Sequence, residues 1–235
     1  AFTALCEEFT PYLDRPLLEV IDAPDDTLLH RTDYTQPALF AFAVSLHALL
    51  ADWGVRPDYL VGHSIGELAA AHIAGVFSRA DAVRLVAARG RLMAALPSDG
   101  AMIAVRAPLP EVIGKLAELP DEVSASIAVA AVNGPTSVVL SGDEDAVTAL
   151  VATIGRPSHR LRVSHAFHSP LLEPMLVEYR AVAESVTYHR PSVPVVSTLT
   201  GRPEPDALAD PEHWVRQARE TVRFADAVEW LADEG

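Results

Sequence analysis

Two residue types are almost missing from this sequence: its 235 residues contain one cysteine, Cys6, and one lysine, Lys115. A single cysteine cannot form an intramolecular disulfide, and such a low content is typical of proteins from a reducing compartment. Basic residues are also scarce, with 18 Lys and Arg against 32 Asp and Glu, which gives a net charge of −14. Nucleic-acid-binding domains need a basic surface, so this balance argues against that class of function.

Long apolar runs and a basic N-terminal stretch are missing as well. No uninterrupted apolar run approaches the ~20 residues that span a bilayer. The first eight residues, Ala-Phe-Thr-Ala-Leu-Cys-Glu-Glu, lack the basic stretch of a signal peptide. We therefore expect a cytoplasmic protein with neither a membrane nor a nucleic acid as partner. Half of the residues are hydrophobic, which suits one large domain with or without an inserted subdomain.

Strand-like apolar runs alternate with helical segments in the first and last parts of the chain. The predicted elements there are helices over 37–52, 65–74, 80–96, 170–185 and 214–231, and strands over 59–62 and 193–197. This alternation predicts an α/β fold with a parallel sheet. The helix over 37–52 is apolar on nearly all faces, so we expect it to be buried.

The middle of the chain has a different order of elements. Strands are predicted over 101–105, 127–132, 137–140 and 159–163, and helices over 111–119 and 143–154. The order βαββαβ is ferredoxin-like. We therefore predict a large α/β subdomain with a hydrolase-like parallel sheet, formed by residues 1–98 and 165–235, that carries an inserted ferredoxin-like small subdomain, residues 99–164.

A Gly-x-Ser-x-Gly motif, Gly62 to Gly66, joins the strand over 59–62 to an Ala-rich helix. This pattern is typical of a strand–turn–helix that exposes a serine hydroxyl at a sharp bend. Gly62 and Gly66 have no Cβ, so we expect a tight turn and a helix packed close to the strand. The helix N-terminus favours negative charge near Ser64. Ser64 is therefore a candidate nucleophile, with a purely structural turn as the alternative.

An arginine lies where the helical pattern is apolar. On the helix over 80–96, Arg89 lies at the centre of the apolar arc, whereas Arg84 and Arg91 lie on the opposite side. An unpaired charge on a buried face is costly, so Arg89 needs an anion. That anion is either an internal carboxylate or a substrate carboxylate held by two parallel hydrogen bonds, and periodicity does not decide between them.

A serine nucleophile needs a base within hydrogen-bond reach, and the sequence offers nine histidines. His165 and His168 lie where the insert returns to the main sheet, at the rim of a cleft between subdomains. Spacing does not choose between them as the base, and a metal site at the pair is an alternative without a nearby Cys or carboxylate at ligand spacing. His63 is better placed to contact a bound acyl oxygen than to take the Ser64 proton. His213, in polar and loop-like surroundings, has no predicted role.

Six motifs together are more specific than any one of them. In chain order they are Tyr-Thr-Gln-Pro-Ala-Leu (34–39), Gly-His-Ser-Ile-Gly-Glu (62–67), Arg-Leu-Val-Ala-Ala-Arg-Gly (84–90), Ala-Val-Asn-Gly-Pro (131–135), Ser-Gly (141–142) and His-Ala-Phe-His-Ser-Pro (165–170). With these motifs the whole chain closely resembles the acyltransferase domain of modular type I polyketide synthases. It more distantly resembles the malonyl-CoA:acyl carrier protein transacylases.

The resemblance implies a role for each matching residue. Ser64 carries the acyl group as an ester, His168 is the general base and acid, and Arg89 binds the free carboxylate of the malonyl unit. Ile65 supplies an oxyanion-binding backbone N–H. The family orients its histidine with a backbone carbonyl, so no triad aspartate is expected.

The resemblance also describes the acyl pocket and its selectivity. His63 and Gln36 line the pocket. The His-Ala-Phe-His form, His165 to His168, is similar to the malonyl-selective class, whereas the methylmalonyl class carries Tyr-Ala-Ser-His. The bulk of Phe167 leaves no room for an α-methyl group, with a discrimination of ~1–3 kcal/mol.

The implied reaction needs no bound metal or other cofactor. Its substrate is a coenzyme A thioester, and its acceptor is the phosphopantetheine thiol of an acyl carrier protein, with ketosynthase and linker domains flanking the chain. Family members begin with a strand and a Gly-Gln-Gly loop and end with a further strand; this chain has neither, so a fragment trimmed at both ends is expected. The alternatives are a methylmalonyl- or other acyl-CoA-selective acyltransferase, a serine hydrolase or thioesterase, and an inactive scaffold domain.

Overall fold

The computed structural model describes residues 1–234, and its first part, up to residue 94, is mostly helical. The elements there are α1 (Phe2–Glu8), α2 (Leu17–Ile21), α3 (Thr32–Asp52), β1 (Leu60–Val61), α4 (Ile65–Ile73) and α5 (Arg79–Ala94). Helix α5 begins after Ser78, whose hydroxyl accepts a hydrogen bond from the Asp81 backbone N–H at 3.1 Å. This cap satisfies one of the free N–H groups of the first turn, and it fixes the start of the helix that carries Arg89.

The middle of the chain forms a four-stranded antiparallel sheet covered by helices. Its elements are β2 (Gly100–Val105), α6 (Leu109–Ala117), α7 (Asp121–Ser124), β3 (Ile127–Gly134), β4 (Ser137–Asp143), α8 (Glu144–Ile154) and β5 (Ser158–Arg160). The strand order is β3-β4-β2-β5, with β2 antiparallel to both of its neighbours. This order confirms the predicted ferredoxin-like arrangement.

The last part of the chain returns to the first sheet. A 3-10 helix over Pro170–Met175 leads into α9 (Leu176–Glu184), β6 (Val195–Ser197), β7 (Arg202–Pro203), α10 (Pro211–Arg219) and α11 (Phe224–Glu234). Strand β1 pairs in parallel with β6, as predicted, but β6 pairs antiparallel with β7. The sheet is therefore mixed rather than wholly parallel, and the fold is α/β with two subdomains.

The single helix predicted over 214–231 is wrong. The chain leaves α10 at Arg219 and starts α11 at Phe224. Between them, Val222 exchanges two backbone hydrogen bonds of 2.9 Å with Ala130 and Val132 of β3. This pairing with a distant strand overrides the local helical pattern. Val222 thereby forms an isolated bridge to the small sheet from outside residues 99–164, and the limits 99 and 164 of the insert stay a prediction.

Helix α3 is less buried than its composition predicts. It begins at Thr32 rather than at Pro37, and its outer face leaves Leu39 and Phe42 about half exposed, at 49% and 58%. The helix packs against α1, α2, α4 and α5. By length and composition α3 is long and apolar enough to cross a membrane, contrary to the expectation from sequence. Core helices of globular domains often have the same length and composition, so these two properties do not distinguish a membrane helix from a core helix.

Candidate active site

The turn that carries Ser64 has the sharp backbone that Gly-x-Ser-x-Gly predicts. Ser64 has φ +52°, a left-handed conformation that costs a non-glycine residue free energy and is found at functional turns. A Cβ on Gly62 would lie 2.0 Å from the Gly66 carbonyl carbon, so only glycine fits there. A Cβ on Gly66 would meet no atom within 4 Å, so the expected close approach depends on Gly62 alone.

The N-terminus of α4 leaves one backbone donor beside Ser64. The N–H of Gly66 donates to the His63 carbonyl at 2.9 Å, and that of Glu67 donates to the Ser64 carbonyl at 3.0 Å. Among residues 1–234, no acceptor faces the N–H of Ile65. Together with the dipole of α4, this donor can stabilise negative charge that develops next to Ser64.

His168 is the histidine that reaches the serine. Its Nε2 lies 2.7 Å from the Ser64 Oγ, and its Nδ1 lies 2.9 Å from the Glu220 backbone carbonyl. A carbonyl only accepts, so Nδ1 carries the proton and Nε2 is free to accept one from Ser64. Burial, and then the positive charge of Arg89, lower the pKa of His168 to about 3. The imidazole is therefore neutral near pH 7, as a general base must be.

His165 lies elsewhere. Its Nε2 donates to the Leu96 backbone carbonyl at 2.9 Å, and its ring centroid lies 6.2 Å from that of Phe167. The structure thus separates the two histidines that spacing left equivalent. The metal alternative finds no support in this geometry, because His168 uses both ring nitrogens in hydrogen bonds.

Arg89 is a buried cation that faces the serine. Only 2% of the residue is exposed, and burial lowers its pKa. Its guanidinium donates to the Gln36 Oε1 at 2.6 Å and to the Ser64 Oγ at 3.2 Å, while its Nε has no partner within the described chain. No carboxylate of residues 1–234 lies within ion-pair distance of Arg89, although the charge of Glu67 acts on it over a longer distance. The internal ion pair that periodicity left open is absent there, and a cation with spare donors lies next to Ser64.

A cavity of about 200 Å³ adjoins Ser64 and His168. Its other lining residues are His63, Met102, Ala130, Ala131, Asn133, Val139, Leu161, Val163 and Phe167. Most of this wall is apolar and comes from the strands of the small subdomain. The cavity is large enough for a small acyl group, and the two subdomains enclose it together.

Two of the expected pocket residues differ in their placement. His63 lines the cavity, with its Nε2 2.9 Å from the Asn133 Oδ1. Gln36 does not line it; its Oε1 holds Arg89, and its amide donates to the Thr32 hydroxyl at 2.7 Å. Phe167 is in the cavity wall, whereas His165 is not. His165 can therefore affect the cavity only through its neighbours.

Several residues of the site were not predicted. Asn133 had no assigned role, although it falls in the Asn-Gly-Pro turn of β3. Gln217 donates to the Ser64 carbonyl at 2.8 Å, and His213, expected in polar surroundings, is buried against Glu67. His213 and Gln217 are four residues apart in a helical segment, so they share one face. That spacing was the available signal, but it does not reveal which surface the face contacts.

Comparison with known proteins places this geometry in one family. The model of the family described as "Acyl transferase domain" matches residues 1–235. The chain is 52% identical over 242 residues to polyketide synthase GfsA of Streptomyces halstedii, covering 100% of the chain but 3% of that protein. It is 54% identical, with a TM-score of 0.91, to the acyltransferase domain from the second module of the salinomycin polyketide synthase, covering 55% of that chain. It is 30% identical, with a TM-score of 0.87, to a malonyl CoA-acyl carrier protein transacylase from Burkholderia pseudomallei, covering 99% of this chain and 80% of that one.

Proposed function

The chain belongs to the acyltransferase domains of polyketide synthases, and from this premise we propose that it loads a malonyl unit from coenzyme A onto an acyl carrier protein by way of Ser64. One observation carries the proposal. The Ser64 Oγ lies 2.7 Å from the Nε2 of His168 and 3.2 Å from the guanidinium of Arg89. A nucleophile, a neutral base and a buried cation thus converge on one oxygen atom, next to a small cavity.

In the first half-reaction, Ser64 takes the acyl group from coenzyme A. The Oγ attacks the thioester carbonyl carbon, and its proton passes to the Nε2 of His168. The carbonyl oxygen becomes negative and is met by the backbone N–H of Ile65 at the N-terminus of α4. When the tetrahedral intermediate collapses, the C–S bond breaks and His168 returns the proton to the coenzyme A thiolate. The product is an ester on Ser64.

In the second half-reaction, the same groups work on a new nucleophile. The phosphopantetheine thiol of the carrier protein loses its proton to His168, and its sulfur attacks the ester carbonyl. The C–O bond to Ser64 breaks, and the proton on His168 returns to the Oγ. The likeness to a transacylase whose name includes an acyl carrier protein supports this choice of acceptor. By the same family argument, ketosynthase and linker domains flank the chain in a multidomain synthase.

Arg89 is the proposed partner of the malonyl carboxylate. A guanidinium holds a carboxylate with two parallel charge-assisted hydrogen bonds. Gln36, which is itself 5% exposed, accepts from one guanidinium nitrogen and so fixes the plane of the group. A bound carboxylate would supply the direct ion pair that no side chain of residues 1–234 makes with Arg89, since the Glu67 carboxylate acts on it only over a longer distance.

Malonyl is proposed over methylmalonyl because of the cavity wall. Phe167 fills space next to Ser64 in a cavity of only about 200 Å³. One additional methyl group in a fitted pocket is worth ~1–3 kcal/mol, so we expect a limited preference for malonyl. A methylmalonyl-selective domain is the alternative that the experiment below distinguishes.

Intact-protein mass spectrometry of the domain, expressed together with its native flanking sequence, tests the proposal. Brief exposure to equal amounts of malonyl-, methylmalonyl- and acetyl-CoA should give mainly the malonyl adduct, and Ser64→Ala should give none. A carrier protein added afterwards should take up the malonyl group. Net hydrolysis without transfer would favour a serine hydrolase, and the absence of any adduct would favour an inactive scaffold.

A further inference from the structure

A buried carboxylate lies one helical turn after Ser64 and takes no part in the steps above. Glu67 is fully buried in the first turn of α4. Its Oε1 accepts from the Nε2 of His213 at 3.0 Å. Its Oε2 accepts from both the backbone N–H of Thr198, at 3.0 Å, and the Thr198 hydroxyl. Burying a carboxylate is strongly unfavourable without such compensation, and its removal alone would leave the buried donors of His213 and Thr198 unpaired.

One set of contacts runs from this carboxylate to the serine turn. His213 lies on α10, and Gln217 lies one helical turn further along the same face. The Gln217 side-chain amide donates to the Ser64 backbone carbonyl at 2.8 Å. Helix α10 therefore contacts the start of α4 at two points, the Glu67 carboxylate and the Ser64 carbonyl. These two contacts hold the left-handed backbone of Ser64 in place at the start of α4.

A second set of contacts runs from the same carboxylate to the histidine. Thr198 directly follows β6, and its carbonyl accepts from the backbone N–H of Arg223 at 2.7 Å. Arg223 ends the short connection over 220–223 between α10 and α11, which begins with Glu220. The Glu220 carbonyl is the group that accepts from the Nδ1 of His168. Fixing Thr198 thus fixes the backbone that orients the imidazole.

We infer that Glu67 is a positioning residue that sets the separation of the Ser64 Oγ and the His168 Nε2 by anchoring the chain segments behind both. The inference rests on the proposed function, because it assumes that Ser64 and His168 are the reacting pair. A displacement of ~1 Å between reacting groups costs about 100-fold in rate. Glu67 is fully buried and does not line the cavity beside Ser64, so its loss should lower kcat with little change in KM.

The test measures how fast Ser64 reacts with a small fluorophosphonate. In that reaction an Oγ–P bond forms, fluoride leaves and the hydroxyl proton passes to His168, so neither malonyl nor carrier recognition is involved. Glu67→Ala should lower the second-order rate constant per folded molecule about 100-fold. Glu67→Gln keeps the shape and one acceptor oxygen, so it should restore the rate to within about tenfold of the wild-type value.

A matched control separates positioning from loss of stability. Val147→Ala removes a fully buried side chain from the small-subdomain core, away from Ser64. It should lower the unfolding midpoint and leave the fluorophosphonate rate per folded molecule unchanged. If Glu67→Ala does not fold, the pair of Glu67→Gln and Thr198→Val takes its place. Glu67→Gln removes the negative charge, and Thr198→Val removes the hydroxyl that donates to it. Each keeps the volume of the side chain that it replaces, and each should slow the reaction severalfold.

The outcomes are distinct. Wild-type rates in folded Glu67→Ala, or in both Glu67→Gln and Thr198→Val, overturn the positioning role. Equal rate losses in Glu67→Ala and Val147→Ala also overturn it. A wild-type protein that reacts with the fluorophosphonate but takes no malonyl from coenzyme A contradicts the proposed function instead, and leaves the comparison of variants valid.

Discussion

The Nδ1 of His168 lies 2.9 Å from the backbone carbonyl of Glu220, and no carboxylate side chain occupies that position. A neutral carbonyl fixes the tautomer and the direction of the ring as an aspartate would. It lacks the negative charge that would stabilise the imidazolium form, and Arg89 nearby adds a positive charge. The site therefore has an oriented but weakly basic histidine.

This relationship predicts an acylation rate that persists into acid. The pKa of His168 is lowered to about 3, so the imidazole stays neutral well below pH 6.5. We expect kcat/KM for malonyl-CoA to show no half-maximal point near 6.5 that depends on His168. Stopped-flow acylation between pH 5 and 8, at constant ionic strength, measures it. An acid limb centred at 6.5 would contradict the environment described for this ring.

The same pKa predicts how His168 affects stability. The unfolded chain, with an ordinary histidine pKa of 6.5, binds more protons than the folded chain, so stability falls as pH decreases from 6.5 toward 3. Between pH 7 and pH 5 the loss due to this residue is about 2 kcal/mol. Urea denaturation of the wild type and of His168→Asn over this range isolates the contribution. The variant should have the shallower pH dependence, and identical slopes would contradict the prediction.

Replacing Arg89 should separate malonyl from acetyl loading. Arg89→Ala removes the proposed charge-assisted hydrogen bonds to the malonyl carboxylate, so malonyl loading should fall about 100-fold. Acetyl loading, which has no carboxylate to bind, should change by less than about threefold. Arg89→Lys keeps the charge without the planar guanidinium, so its malonyl loading rate should lie between those of the wild type and of Arg89→Ala. Equal losses for both acyl groups would show that Arg89 serves the reaction in another way.

Two residues of the candidate site could be singled out from the sequence because they break local patterns. A serine between glycines and an arginine within an apolar arc both stand out in a single sequence. The choice between His165 and His168 could not be made that way. It depends on the left-handed backbone of His168, at φ +55°, and on the Leu96 carbonyl that holds His165, both of which follow from tertiary structure.

The fold was predictable to a similar extent. Local periodicity predicted the βαββαβ order correctly, since β2, β3, β4, α6 and α8 each bury apolar side chains on one face. It failed at residues 220–223, where pairing with β3 interrupts a helical pattern, and that interruption places the Glu220 carbonyl behind His168. Glu67 and His213 were missed for the same reason. Neither residue breaks the pattern of its own segment, and their hydrogen bond joins residues that are 146 positions apart in the sequence.

Phe167 should control the size of the accepted acyl group. Phe167→Ser enlarges the cavity beside Ser64, and the ratio of methylmalonyl to malonyl loading should rise about 10- to 100-fold. Mixed-substrate loading read by intact mass measures the ratio directly. His165→Tyr is the matched control, because His165 lies outside the cavity wall and should shift the ratio little on its own. A larger shift from His165→Tyr than from Phe167→Ser would place the selectivity elsewhere.

The two glycines of the serine turn should respond oppositely to alanine. At Gly62 a Cβ would lie 2.0 Å from the Gly66 carbonyl carbon and 2.4 Å from the Glu67 nitrogen, and backbone atoms cannot move aside cheaply. Gly62→Ala should therefore destabilise the fold by several kcal/mol and abolish acylation.

At Gly66 a Cβ meets open space within a helix, where alanine is favoured over glycine by up to ~1 kcal/mol. Gly66→Ala should be as stable as the wild type or slightly more so, and should keep its acylation rate. Denaturant midpoints and malonyl loading of the two variants measure this contrast. Similar losses in both would mean that the second glycine of the motif serves the approach of substrate rather than the packing of the turn.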